Sequence, residues 1–323
     1  MKKLTYSTIL LLCVGTAPAL FSQTTTSVAD GDWRTPATWN NAVPVTGGTA
    51  FIRSGVTSSD NEGSLAGLAL IPGGGASSLT MNSGSQITSN GIMAVNNGTL
   101  TINTGAALSK LGGSNFGYIA RDTGNTGEMI INGGTYDTNR VFFMGSGGQP
   151  GSTGTLSINS GSFMSSTFLA FAGEANSNMN IFVNGGSLAL DFVDFDRDDN
   201  NAGAAGVTQA ITVAGGNFLL TTSNEAGSLQ FTADPSSVLN FNSGTVTWQG
   251  VLNTSEFATF QTTFGGWVDN GFIASSVFSG VELKDNLTYV SGTGAVLAIP
   301  EPSHAAILAG LTALLALCLR RRR

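Results

Sequence analysis

Between Cys13 and Cys318 the chain has no cysteine, and its one histidine, His304, lies near the C-terminus. The long middle can therefore form no disulfide, hold no His-ligated zinc and build no Ser-His-Asp or Cys-His nucleophile system. Any enzyme made from it must work with Asp, Glu, Lys, Arg or Tyr. Charge is scarce as well, 10% of residues against an ordinary ~25%. Six of the 13 basic residues, Lys2, Lys3 and Arg320 to Arg323, sit at the two ends, so the remaining seven face 20 acidic ones, a net charge near −13. Such a body repels nucleic acid and anionic membrane surfaces, and nucleic-acid binding is set aside.

What the chain does contain is glycine, 44 residues in 323, about twice the usual share. Together with abundant Asn, Ser and Thr, this suits many short strands joined by tight turns, and the length is ample for a buried core. The first residues, "MKKLTYSTILLLCVGTAPALFSQ", combine Lys2 and Lys3 with an apolar run from Ile9 to Val14 and a small-residue site at Ala17-Pro18-Ala19. They read as a secretory signal peptide cut after Ala19, with Ser22 as the second choice. Lipidation at Cys13 is disfavoured because Leu12 stands where a small residue is needed.

One pattern recurs seven times: "LTMNSGSQ" from Leu79, "LTINTGAA" from Leu100, "MIINGGTY" from Met129, "LSINSGSF" from Leu156, "IFVNGGSL" from Ile181, "ITVAGGNF" from Ile211 and "LNFNSGTV" from Leu239. Each reads apolar, any, apolar, Asn, small, Gly, with Gly84, Gly105, Gly134, Gly161, Gly186, Gly216 and Gly244 in every copy and Asn failing only at Ala214. The spacing is uneven, shortest between Leu79 and Leu100 and longest between Ile181 and Ile211. Period-2 alternation ending in Asn-x-Gly predicts a short strand entering a tight turn. A second apolar run follows each of several copies ("GIMAVN", "FGYIA", "VFFMG", "FLAFAG", "FVDF"), so each period holds at least two strands.

Strand pairs at this period predict an all-β fold, a right-handed parallel β-helix of about seven to eight coils, each repeat stacked on the last. Equivalent residues would then lie about 4.8 Å apart along the axis. Asn82, Asn103, Asn132, Asn159 and Asn184, with Asn242 beyond the gap at Ala214, would form a ladder bonded from coil to coil; the plainer alternative is that each Asn merely tolerates its turn. A leucine-rich repeat is disfavoured because "LAGLAL" from Leu65 fits its pattern only once. A propeller needs periods of ~40 to 50 residues.

The flanks differ, as solenoid ends must to protect core and strand edges. "DGDWRTPATWNNAVP" offers Trp33 and Trp39 as an N-terminal cap. After Trp248 the segment "NTSEFATFQTTFGGW" predicts an amphipathic helix with Thr254 or Ser255 as N-cap and Phe257, Phe260 and Phe264 on its inner face. The expected order is a signal peptide over 1–19, a cap and first coil over 20–78, repeats over 79–250, a C-terminal cap over 251–299 and a tail over 300–323.

From Ala305 to Leu319 the chain is apolar, broken only by Gly310 and Thr312. As a helix this run would span ~22 Å of a ~30 Å hydrocarbon core, with the arginines that follow kept cytoplasmic. Pro300-Glu301-Pro302, this short transmembrane helix and Arg320, Arg321, Arg322 and Arg323 together resemble the PEP-CTERM sorting segment of bacterial exported proteins. The resemblance covers only the end of the chain, from about Ile299 to Arg323. It implies export by signal peptidase, transient anchoring in the inner membrane, processing by an exosortase-type membrane transpeptidase and delivery to the cell surface or to a matrix of extracellular polysaccharide. Copies such as "LTINTG" and "LSINSG" also resemble strand repeats of large bacterial surface and autotransporter proteins.

The sharpest polar cluster is "DFVDFDRDDNN", with Asp191, Asp194, Asp196, Asp198 and Asp199 beside Arg197. Over a strand from Phe192, Asp194 and Asp196 would share one face and Val193 and Phe195 the other. Carboxylates so placed repel one another, and Ca²⁺ at Asp194, Asp196 and Asp198 would relieve that, although no EF-hand loop is present; a solvated acidic loop is the simpler reading. On strand geometry the same pair could meet the spacing of a glycoside hydrolase, and Arg140 or Arg197 would serve a lyase as base, but no catalytic motif accompanies them. Ice binding would need an unbroken rank of threonines, whereas the outward positions read Thr80, Thr101, Ile130, Ser157, Phe182, Thr212 and Asn240. The sequence therefore points away from an enzyme and toward an exported structural or adhesive rod.

Overall fold

A computed structural model describes residues 23–71, 77–113, 116–145, 150–172, 175–195, 206–222, 229–231 and 237–299. The signal peptide with Ala17 and Ala19, the Pro300-Glu301-Pro302 tail with its arginines, and Asp196, Arg197, Asp198 and Asp199 lie outside these residues. Among the described residues no helix is long and apolar enough to cross a membrane.

The chain forms a parallel β-solenoid of about seven turns. Each full coil contributes three strands, one more than the minimum read from the repeats. The first face holds the repeat copies themselves, such as Ser78–Met81, Gly98–Asn103 and Asn178–Val183. The second begins directly after the Asn-x-Gly corner, as in Gln86–Ser89 and Ala107–Lys110. The third is the second apolar run, as in Met93–Val95, Gly117–Ile119 and Phe142–Gly145. In Thr153–Ala172 one extended segment rounds two corners and serves all three faces.

Alternation explains the core. Leu79 and Met81, Leu100 and Ile102, Met129 and Ile131, Leu156 and Ile158 and their successors point inward and are fully buried. Facing them are Leu108, Tyr136, Phe163 and Leu188 on the second face and Val95, Ile119, Met144 and Phe171 on the third. Register then stacks like on like, with Tyr136 over Phe163 at 4.8 Å and Phe171 over Phe195 at 4.7 Å. Gly117 faces inward where its neighbour coil places Phe142, and a Cβ there would lie 2.5 Å from that ring.

Corners set this register. Asn82 and Asn103 accept through their carbonyls from the N–H groups of Ser85 and Ala106, closing a turn whose third residue, Gly84 or Gly105, has a φ of 91° or 79°. Only glycine enters that conformation without strain. At "NGG" of 132–134 the left-handed residue is Gly133, with φ 96°, and Gly134 serves instead to let Asn103 and Ile102 of the previous coil approach. Further on, Gly216 has φ 70°, and an added Cβ would meet the carbonyl of Gly186 directly beneath it.

Parallel pairing begins at Thr24–Thr26 with Thr49–Ile52, so the region expected to hold a cap and one coil already holds stacked coils. Trp33 and Trp39 plug its end edge to face, 5.0 Å apart, with Trp39 Nε1 donating to Trp33 O at 2.6 Å. At the other end helix α1, Thr254–Asp269, lays Phe260, Phe264 and Val268 over the open core and meets Trp248. Its N-cap is Asn253 rather than Thr254 or Ser255, because the Asn253 carboxamide accepts from both Ser255 N and Glu256 N. Helix α2, Gly280–Asp285, starts on a Ser279–Glu282 capping box. Gly294–Ile299 then runs antiparallel to 244–248 of the last coil and pairs with Leu287–Val290, covering the final edge.

Replacing Gly216 by alanine combines a left-handed backbone with a collision against the coil below, and should cost more than about 2 kcal/mol. Gly47→Ala, at φ 81° but with open space around it, should cost only about 1 kcal/mol. Urea midpoints of the two variants check this, and equal losses would mean that coil contact at the glycine column carries no energy.

Candidate functional site

The asparagines of the repeats stand at the outer edge of the first corner, half-buried or exposed. Asn103 Nδ2 donates to Asn82 Oδ1 at 2.9 Å, Asn159 Nδ2 to Asn132 Oδ1 at 2.9 Å and Asn184 Nδ2 to Asn159 Oδ1 at 2.8 Å. The ladder therefore forms two runs. Between Asn103 and Asn132 the register shifts, and Thr104 Oγ1 donates to Asn132 O instead. Asn242 is outside the ladder; its Oδ1 accepts from the N and Oγ of Ser276 in the C-terminal cap. The amides bond to one another at the surface, so their role is to staple coils rather than to satisfy buried turn groups.

The outward row of the first face is Thr57, Thr80, Thr101, Ile130, Ser157, Phe182, Thr212 and Asn240. Its composition is mixed and mostly polar. The third face differs. Its pairing places Ala94, Tyr118, Phe143, Ala170, Asp194 and Gln230 in one outward row. Beside it run Phe116, Val141, Phe168 and Phe192. Tyr118 stacks on Phe143 at 5.4 Å and 15°, Phe116 meets Phe143 edge on at 5.3 Å, and Phe168 stacks on Phe192 at 4.7 Å. These rings are half-buried and form an aromatic strip on the outside of four coils.

The Arg121 guanidinium carbon lies 5.3 Å from the centroid of the Tyr118 ring, a cation–π distance. Burial raises the Tyr118 phenol above its ordinary pKa and Arg121 opposes that. The sequence separated the aromatics of "FGYIA" and "VFFMG" into alternate sets, but which set faced outward was invisible in it. The signal available was period 2 itself, since Phe116 and Tyr118 must share a side opposite Ile119.

Of the acidic cluster, Asp194 stands at the end of the aromatic row and is buried, while Val193 and Phe195 enter the core. The strand ends at Asp194. Asp191 occupies the corner before it and accepts from Thr221 Oγ1 at 3.4 Å. Among the described residues no three Asp, Glu, His or Cys side chains gather as a metal-binding group. Arg140 sits at the same corner two coils earlier.

That corner has a polar lining pointing inward. Ser89, Lys110, Thr138 and Ser165 succeed one another in register, all buried. Ser89 Oγ donates to Ile92 O at 3.0 Å, Lys110 Nζ to Gly112 O at 2.7 Å and Thr138 Oγ1 to Arg140 O at 3.2 Å, so each holds a carbonyl of the bend that follows. Lys110 is thus a bracket for its corner. Against protein-family models, curated proteins and solved structures, the chain has no match.

Burial lowers the pKa of Lys110, and the nearby charge of Arg140 lowers it further. The unfolded chain then binds this proton more tightly than the folded one. Lys110 accordingly weighs on the fold at low and neutral pH, and that cost fades as pH rises from its folded pKa toward the ordinary value of 10.5. Compared with Lys110→Met, the parent should gain in urea midpoint as pH rises toward 10.5. A difference constant with pH would show an unshifted lysine.

Proposed function

We propose that this protein is an exported structural or adhesive component of the cell surface or extracellular matrix, working as a rigid rod among extracellular polysaccharides. The observation that carries this reading is the outward rows formed by stacking. The first face lines up Thr, Ser and Asn on most coils and the third face lines up aromatic rings on four, about 4.8 Å apart. Contacts that are weak singly add when one long polymer meets many of them. The solenoid winds right-handed, the sense that parallel strand connections favour. Signal peptidase and an exosortase-type transpeptidase handle the two ends, the latter at Pro300-Glu301-Pro302, with the short helix and Arg320 to Arg323 holding the chain briefly in the inner membrane.

A second reading draws on the place of Asp194 at the end of the aromatic row. A carbohydrate-active enzyme would use Asp194 and Asp196 as its carboxylate pair, with Ca²⁺ at Asp194, Asp196 and Asp198 as an alternative use of the same cluster. The purified full chain, in mild detergent with and without Ca²⁺, should bind members of a panel of bacterial and algal polysaccharides without releasing new reducing or unsaturated ends. Product formation abolished by Asp194→Asn and Asp196→Asn would make the protein an enzyme and overturn the first reading.

A further inference from the structure

The aromatic strip is framed by arginines. Arg121 follows Gly117–Ile119 at the corner leading to the first face and covers Tyr118. Arg140 stands at the opposite corner, directly before Val141, whose carbonyl accepts from Gly117 N beside Phe116. The Arg140 Nε is buried and has no hydrogen-bond partner. In the coil below, the buried Lys110 ammonium is bonded to Gly112 O, and its charge and that of Arg140 act on each other. Among the described residues no carboxylate lies within ion-pair distance of Lys110 or Arg140.

This concentration runs against the rest of the molecule. Lys110, Arg121 and Arg140 are three of the seven cations outside the terminal segments, and two successive coils hold them, in a body with 19 of the chain's 20 acidic residues. Arg34 and Lys284, by contrast, are paired to Asp60, Glu62 and Asp269 at the two ends. The carboxylates nearest the strip are Asp122, whose Oδ1 lies 3.9 Å from Arg121 Nε and whose Oδ2 accepts from Asn96, Asp137 outward on the second face, Asp191 two coils further on, and Asp194 in the aromatic row itself. None meets Arg140. The Arg140 Nε is closed to solvent, but the side chain as a whole is half-buried, and among the described residues no carboxylate offsets its charge.

We propose that the strip binds a polysaccharide of uronic acid residues lying along the solenoid axis. Its sugar rings pack on Phe116, Tyr118 and Phe143, which offer flat apolar faces, and its carboxylates meet Arg121 and Arg140, whose planar forks match that group. Lys110 adds positive potential from beneath. This rests on the reading of the rod as a polysaccharide-binding surface protein and names the chemistry it selects.

The test uses the full chain in mild detergent, with polygalacturonate, a neutral β-glucan and poly-L-glutamate as probes in titration calorimetry. Polygalacturonate should bind, more weakly at about 0.5 M salt, and the neutral glucan and the ring-less polyacid should bind far less. Tyr118→Ala with Phe143→Ala, and separately Arg121→Gln with Arg140→Gln, should each weaken binding by about tenfold or more. Tyr118→Leu keeps the bulk and loses the ring, and serves if the alanine pair lowers the unfolding midpoint. Polygalacturonate binding untouched by these variants would overturn the strip as the site and leave the surface-binding reading standing. Equal binding of the neutral glucan would overturn the uronate selection, and equal binding of poly-L-glutamate would overturn the part given to the rings. If no polysaccharide binds, both readings fall.

Discussion

Backbone hydrogen bonds in this fold point along the axis, and a coil can satisfy them only with another coil. This constraint governs both ends. At the start, Asn40 closes the exposed side of Thr24–Thr26 by accepting from Thr26 N through its carboxamide and donating its own N–H to Thr26 O. Arg34 reaches across to the carbonyl of Asn61 on the second face. At the finish an antiparallel strand takes the place of the next coil and two helices cover the apolar cross-section. Edges left open would be templates for pairing with other chains.

The same constraint makes corners decisive. A coil can change its length in a loop, and the spacing of the repeat copies does vary, shortest from Leu79 to Leu100 and longest from Ile181 to Ile211. Its strands must nevertheless re-enter register, because a slip by a single position turns every inward side chain outward. Asn-x-Gly corners supply that fixed point. Glycine permits both the left-handed turn and the close approach of stacked carbonyls, and the carboxamide staples tie one corner to the next. Between Asn103 and Asn132, where the staple is missing, the Thr104 hydroxyl makes the link in its place.

Once register is fixed, the outer faces become ordered arrays. Outward positions carry no packing requirement, so their composition is free to vary, and it does so face by face. The first face is chiefly hydroxyl and amide; the third gathers Phe116, Tyr118, Phe143, Phe168 and Phe192. Half-exposed rings held in line by the backbone cost little further ordering on binding. Three of the body's seven cations, Lys110, Arg121 and Arg140, belong to two successive coils of this strip, so chemistry absent from any single coil arises from several coils stacked together.

Read alone, the sequence determined the solenoid. Seven apolar-x-apolar-Asn-x-Gly copies left few other ways to bury their alternate residues, and the Phe260–Phe264 spacing was enough to place a closing helix. These features are local, written in periods of 2, 3.6 and the coil length. Tertiary structure decided the rest: three strands per coil in place of the two that could be counted, the N-cap at Asn253, and Asn242 turned to Ser276 in the cap. It also decided which aromatics of "FGYIA" and "VFFMG" face outward, and that Arg121 covers Tyr118 while Arg140 stands at the opposite corner. Period 2 separates two sides of a strand without naming the inner one. Only stacking against a neighbour, where Gly117 leaves room for Phe142, settles the choice.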